Sequence, residues 1–243
     1  MQGVRTMLEI IAETLEDALA AEAGGATQLD LKSDFVEDGL TPTAGMVEMI
    51  CSRVGIDVIV MVRNQVSSMI LSQDDISIMC ADIKLSAERG AAGFLLGAIT
   101  DKRVIDEDAV SRFIEAADGL PLHFHLAWEM TEDPQDALDT LMRLGIKTAR
   151  TSGGQALGGK AVNRMDAIKK FRKQTEGRMD IFLAGGVRSD NIARLVEGTG
   201  VMHAHAGSSV REPENPKGIV IEEKVHQLRQ ELDDAVLRLR GSR

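Results

Sequence analysis

The sequence predicts a single (β/α)8 barrel, the TIM-barrel class of α/β fold. Three observations carry that prediction. The chain of 243 residues is barrel-sized. Short runs rich in Val, Ile and Leu recur roughly every thirty residues. Each run is followed by a segment of helical periodicity. No linker, low-complexity tract or composition break divides the chain, so residues 1–243 read as one domain. An open doubly wound sheet is the competitor, but it would place a glycine-rich fingerprint after its first strand. That position reads Ala12-Glu13-Thr14.

The strands are expected at 6–11, 26–32, 57–63, 91–97, 121–126, 147–152, 179–184 and 200–206, with helices between them. The first helix carries a capping pattern, Thr14 with Asp17 three residues on. Leu15, Ala18, Leu19 and Ala23 follow on one face, and Gly24-Gly25 stops it. The second and third helical segments, 46–54 and 76–88, contain Cys51 and Cys80. Buried thiols at such positions act as small core fillers. The last helix aligns Val225, Leu228, Leu232, Val236 and Leu239 in one stripe, as a helix lying on a barrel wall does. Residues 207–218, with Pro213 and Pro216, form the longest irregular stretch, and 238–243 read as a solvated end.

Composition narrows the function classes. The formal charge of −10 and the scarcity of aromatics, six Phe, one Trp and no Tyr, argue against a nucleic-acid binder. No run reaches the ~18–20 apolar residues of a membrane span. The N-terminus lacks a signal-peptide pattern, so a cytoplasmic protein is expected. Two cysteines make neither a disulfide framework nor a zinc ribbon. The charge is uneven: residues 1–125 hold 9 Lys/Arg against 21 Asp/Glu, and residues 126–243 hold 19 against 17. A small anionic partner therefore suits the second half. Apolar positions on the barrel helices would permit a homo-oligomer.

Strands of a parallel sheet covered on both faces should be continuously apolar. Here Glu9 interrupts the first strand, Gln28, Asp30 and Lys32 alternate through the second, His123 and His125 through the fifth, and His203 and His205 through the eighth. Period two puts each polar set on one side, and the apolar sets must pack on helices, so the polar sets face the barrel interior. Such charges must pair, bind a ligand or sit at the wet mouth. A self-neutralising ion-pair network accounts for some of them, and His123, early in its strand, belongs with that reading. His125 and His205 lie at strand ends, where barrel active sites form.

Glycine-rich turns follow three consecutive strands: Thr151-Ser152-Gly153-Gly154-Gln155, Ala184-Gly185-Gly186-Val187 and Gly207-Ser208-Ser209. Glycine lets backbone N–H groups approach an anion, and the loops after strands seven and eight form the usual phosphate site of this fold. Thr151, Ser152, Gly153, Gly185, Gly186, Gly207 and Ser208, with Lys32, are the candidate anion-binding residues.

These strand ends resemble the CutC family of cytoplasmic barrel proteins, associated with copper homeostasis. The resemblance rests on Met7-Leu8-Glu9-Ile10, on Asp38-Gly39-Leu40-Thr41-Pro42-Thr43, and on Phe124-His125-Leu126-Ala127-Trp128-Glu129-Met130. Asp133-Pro134, Thr151-Ser152-Gly153, Ala184-Gly185-Gly186-Val187 and His205 continue it, from Met7 to about Ser209. It implies copper handling in the cytoplasm. The departures bear on that implication. The family commonly has cysteine where this chain has Lys32, and its Arg-Pro-Arg-Gly-Gly segment reads Arg63-Asn64-Gln65-Val66-Ser67. Leu126 replaces an arginine, and His203 replaces an acid. Copper(I) prefers thiolate and thioether ligands, and an ammonium at position 32 repels a cation.

Three functions remain open. The first is copper binding, implied by the resemblance. The second is an aldolase, isomerase or hydrolase acting on a small anionic, phosphorylated, sugar-like substrate. Glu9, Asp30, Arg63, His125 and His205 would be its catalytic residues, with Arg63 and Lys32 holding the anionic group; a Lys32 Schiff base is a narrower version. Glu9, Asp30, His125, His203 and His205 could instead coordinate copper or another divalent metal. The third is a non-catalytic barrel with a vestigial pocket.

Overall fold

The structure, a computed structural model, describes residues 6–154 and 159–241; Gln155 of the first glycine-rich stretch lies outside them. Eight parallel strands close into one barrel in sequence order. They are β1 (Leu8–Ala12), β2 (Gln28–Leu31), β3 (Asp57–Met61), β4 (Gly93–Leu96), β5 (Leu122–Phe124), β6 (Thr148–Thr151), β7 (Asp180–Leu183) and β8 (His203–Ala206). The expected strands are all present; all but the first lie within their expected bounds, and the first runs one residue further, to Ala12. The helices are α1 (Leu15–Ala23), α2 (Ala44–Cys51), α3 (Gln73–Ala87), α4 (Glu107–Ala117), α5 (Pro134–Arg143), α6 (Met165–Thr175), α7 (Ile192–Thr199) and α8 (Glu222–Gly241). No helix among the described residues is long and apolar enough to cross a membrane.

Local chemistry sets these boundaries. The Thr14 hydroxyl accepts the Asp17 N–H at 3.0 Å, capping α1 as its sequence pattern requires. Ser72 and Asp75 make a reciprocal capping box at α3. Asp133 caps α5, and Pro134 takes the first helical position, where its missing N–H costs nothing. Along α8, Val225, Leu228, Leu232 and Val236 are buried, the stripe that the periodicity places against the barrel.

Outward positions such as Leu29, Leu31, Val58, Val60, Phe94 and Leu96 form one large core with the helices. The interior stacks differently. With the one-residue-per-strand stagger of such barrels, the strand registers place Glu9, Ile59, His123 and Phe182 in one layer. Asp30, Leu95, Arg150 and His205 form the layer above. Ile11, Met61, His125 and Ala184 come next, towards the C-terminal mouth, and Gln28, Gly93, Thr148 and His203 lie at the bottom.

The stretch after β8 is more regular than its prolines suggest. Arg211–Glu212 (β9) and Ile219–Val220 (β10) pair antiparallel. Arg211 is fully buried; its guanidinium donates to Ile11 O at 3.1 Å and to Asp17 Oδ2 at 3.0 Å. Asp17 also accepts the Val220 N–H at 2.9 Å, so this strand pair is clasped to the first turn of α1 and, through Ile11, to β1.

Candidate functional site

Arg150 of β6, which the sequence reading passed over, is the pivot of the interior. Its guanidinium ion-pairs with Glu9 at 2.5 Å and donates to Asp30 Oδ2 at 3.1 Å. Lys32, one residue beyond β2, pairs with the same Asp30 oxygen at 2.9 Å. Glu9 also accepts from Gln28 Nε2 at 2.8 Å and meets His205 Nδ1 at 2.7 Å. Two carboxylates and two cations, each almost fully buried, thus balance within the barrel, which is the condition under which buried charges persist. Burial pushes the Glu9 carboxyl up, but Arg150 and then His205 outweigh it and hold it well below the usual carboxylate range. Burial lowers the Lys32 ammonium, with Asp30 opposing.

The histidines divide by height. His203, at the bottom, stacks on Phe182 with centroids 5.2 Å apart and accepts the Met7 N–H through Nδ1 at 3.1 Å, which is a structural placement. His123 is buried one layer higher, its imidazole pushed down to about 4, first by burial. His125 lies one residue beyond β5, near the mouth, and its Nδ1 accepts the Ala127 N–H at 3.2 Å. Burial, then Arg150, Arg63 and Lys32, push it down to about 3. Gly97 makes room for this ring, since a Cβ there would sit 2.2 Å from His125 Cε1. Burial, then Arg150, also lowers His205, against the pull of Glu9.

The five expected metal ligands are not brought together. The described residues contain no group of three or more His, Cys, Asp or Glu arranged to hold a metal ion. Arg150 accounts for this at Glu9 and Asp30: a guanidinium already bridges the two carboxylates, and a metal would meet its positive charge. His203 lies at the other end of the barrel, tied to the backbone. Thiolate copper binding fares no better. Cys51 ends α2 and Cys80 sits within α3. Burial pushes the Cys51 thiol up to about 11 and raises Cys80, as it does for partly buried thiols packed in helices.

Arg63, expected to hold an anionic group, instead braces the mouth. Four of its N–H groups donate to the carbonyls of Gln65, Glu37, Gly39 and Val66. Two of the three glycine-rich turns also part company from the third. Glu129, buried beside β6, accepts from Thr151 Oγ1 at 2.6 Å, Ser152 N at 2.9 Å and Gly153 N at 3.0 Å. An internal carboxylate thus occupies the donors expected to meet an anion. By contrast, the N–H groups of Gly185, Gly186, Gly207 and Ser208 have no protein acceptor among the described residues. Gly185 and Gly186 adopt φ of +80° and +73°, and a Cβ on Gly185 would lie 2.4 Å from Gly159 O, so both the turn and the packing demand glycine. Phe35 lies against Gly207 and between two cations, 5.7 Å from Lys32 and 5.4 Å from Arg211. An open concavity of about 580 Å3 lies elsewhere, at Cys51, Glu88 and Gly90, where α2 and α3 run out towards the next strands.

Fold and interior define the class of protein: a (β/α)8 barrel whose core carries a buried, balanced charge network beneath two imidazoles. Residues 6–210 match the CutC family model, and the chain belongs to the CutC family. It is 33% identical over 202 residues to the copper homeostasis protein cutC homologs of Mus musculus and Homo sapiens, covering 83% of this chain and 73% of each relative. The family protein CutC of Photobacterium profundum is 32% identical over 205 residues, covering 84% and 82%. The crystal structure of CutC from Streptococcus agalactiae superposes with a TM-score of 0.78 at 27% identity, covering 84% of this chain and 98% of that one. The N-(5'-phosphoribosyl)anthranilate isomerase of Pyrococcus furiosus, at a TM-score of 0.64 and 10% identity over 95% of this chain and all of the other, shares the fold alone.

Proposed function

We propose that this chain serves copper homeostasis, the role its relatives' names carry, as a cytoplasmic protein that handles a small anionic molecule at the barrel mouth. The supporting observation is the set of four backbone N–H groups, on Gly185, Gly186, Gly207 and Ser208, that find no protein acceptor among the described residues. Backbone donors in glycine turns suit a phosphate or carboxylate, and Lys32 adds positive charge to the same end of the barrel. A metal resident in the barrel does not fit the donor set, because Arg150 and Lys32 already neutralise both interior carboxylates. Copper is then met indirectly, through the small molecule.

Thermal shift against inorganic phosphate, sugar phosphates and small carboxylates tests the reading, alongside anaerobic Cu(I) titration against a competing chelator. An anion at a hundred times its Kd should stabilise the fold by about 2.7 kcal/mol. Replacing Ser208 with Pro, which removes one donor at the first position of a helical turn where proline's fixed φ is tolerated, should weaken that effect. Absence of stabilisation by every anion would overturn the anion reading. So would tight Cu(I) binding that disappears when Cys51 and Cys80 are changed to Ser.

A further inference from the structure

His125, just beyond β5, and His205 of β8 face the upper barrel and differ in one respect that matters chemically: which ring nitrogen the protein engages. His205 Nδ1 lies 2.7 Å from Glu9 Oε1. The Glu9 carboxylate is ionised and accepts only, so Nδ1 carries the proton and Nε2 carries the lone pair. His125 is the reverse. Its Nδ1 accepts the Ala127 N–H at 3.2 Å, so the proton of the neutral ring is on Nε2. Neither Nε2 has a protein partner among the described residues, and neither is one of the sealed, unpartnered side-chain atoms of the interior. The registers put the two rings in adjacent layers, directly above Glu9. Each ring is held in place, His205 by Glu9 and His125 by the space that Gly97 leaves.

We propose that His205 and His125 are a base and hydrogen-bond-donor pair that enolises a small hydroxy-carbonyl compound bound at the barrel mouth, a reading that rests on the anion site proposed above. His205 Nε2 removes a proton from the carbon next to the carbonyl. The C–H electron pair becomes the C=C bond, and the carbonyl π pair moves onto its oxygen, where His125 Nε2–H donates a hydrogen bond. The resulting His205 imidazolium is stabilised by Glu9, as a carboxylate stabilises imidazolium in other acid–base sites. Return of the proton to the same carbon exchanges it with solvent. Return to the neighbouring carbon, with the hydroxyl proton passing between the two oxygens, interconverts hydroxy-aldehyde and hydroxy-ketone. No oxidant, reductant or metal enters the balance. Glu9 is a positioning residue here, since it acts through His205.

Two experiments test the pair. Long-range 1H–15N spectra of the intact protein at neutral pH report tautomers without any substrate: Nδ1–H at His205 and Nε2–H at His125 are expected, and any other assignment overturns the proposal. Proton NMR in D2O then follows the carbon-bound hydrogens of glyceraldehyde, dihydroxyacetone and their phosphates. Wild type should exchange them above the buffer rate, with a roughly 100-fold or greater loss in His205→Gln and in His125→Gln. Glu9→Gln should lower the exchange rate while leaving phosphate-induced thermal stabilisation unchanged. Stabilisation by phosphate without exchange of any probe overturns the acid–base pair and leaves the anion site standing. Absence of both overturns the two together.

Discussion

Replacing Arg150 with Met is the most direct challenge to the account of the interior. The substitution keeps much of the side-chain volume and removes the guanidinium that joins Glu9 to Asp30. Breaking a buried pair from one side costs roughly 3–5 kcal/mol. Asp30 retains Lys32, and Glu9 retains Gln28 and His205, which places the expected loss near the lower end, about 3 kcal/mol. For a domain of this size that lowers Tm by roughly 6–12 °C. Urea unfolding followed by circular dichroism at pH 7 measures it. The pH dependence gives a second check. In the wild type the Glu9 carboxyl is depressed from its ordinary 4.5, so its stabilising contribution is present above that pH and lost as pH falls through the folded value. Without Arg150, burial acts unopposed by the guanidinium and the Glu9 carboxyl rises. The variant's deficit should therefore be largest at neutral pH and narrow at pH 4. A loss below about 1 kcal/mol at pH 7, or a deficit that is the same at both pH values, would refute the charge-balance argument.

Other substitutions probe separate parts of the structure. Gly97→Ala forces a Cβ into the His125 ring and should cost about 1–3 kcal/mol, read by denaturation and by a shifted His125 ring resonance; an unaltered resonance would count against it. Asp17→Ala leaves Arg211 buried without its carboxylate and should cost roughly 3–5 kcal/mol, with new proteolytic cleavage within 211–220; unchanged resistance would contradict the clasp. Glu129→Ala strips the acceptor from Thr151, Ser152 and Gly153 and should destabilise by about 2–3 kcal/mol, measured by urea unfolding; a neutral effect would show those donors to be satisfied otherwise. His125 should titrate by NMR with a midpoint of about 3. Because that value lies below its ordinary 6.5, its contribution to stability is complete above pH 6.5 and lost as pH falls towards 3. A midpoint near 6.5 would remove the burial argument.

The barrel was legible because strands such as 57–63 and 91–97 are apolar enough to stand out between helical segments. The inward set was legible for the opposite reason. Glu9, Asp30 and the histidine pairs interrupt greasy strands with period two, a pattern that only an interior-facing row explains. Arg150 obeys the same period, between Thr148 and Ser152, yet the hydroxyl and glycine residues at the end of that strand drew attention to hydrogen bonding. Glu129 gave a fainter signal, an acid just beyond β5, and nothing local tells that it turns towards the end of β6. Arg63 was assigned by charge alone. Its carbonyl partners come from two different loops, 37–39 and 65–66, and only the assembled fold brings them to one guanidinium. The β9–β10 pair escaped for lack of length, since two-residue strands have no periodicity to read.

The clasp between Asp17 and Arg211 has a consequence for how the molecule is made. Its partners are separated by 194 residues, and β1 borders only β2 and β8 in the ring. A ribosome adding about 5–20 residues per second needs roughly 10–40 s to travel from one partner to the other. Throughout that interval the nascent β1 has one unpaired edge and Asp17 lacks its cation. The ring is therefore sealed late in synthesis, by the last strand and the arginine five residues behind its final alanine.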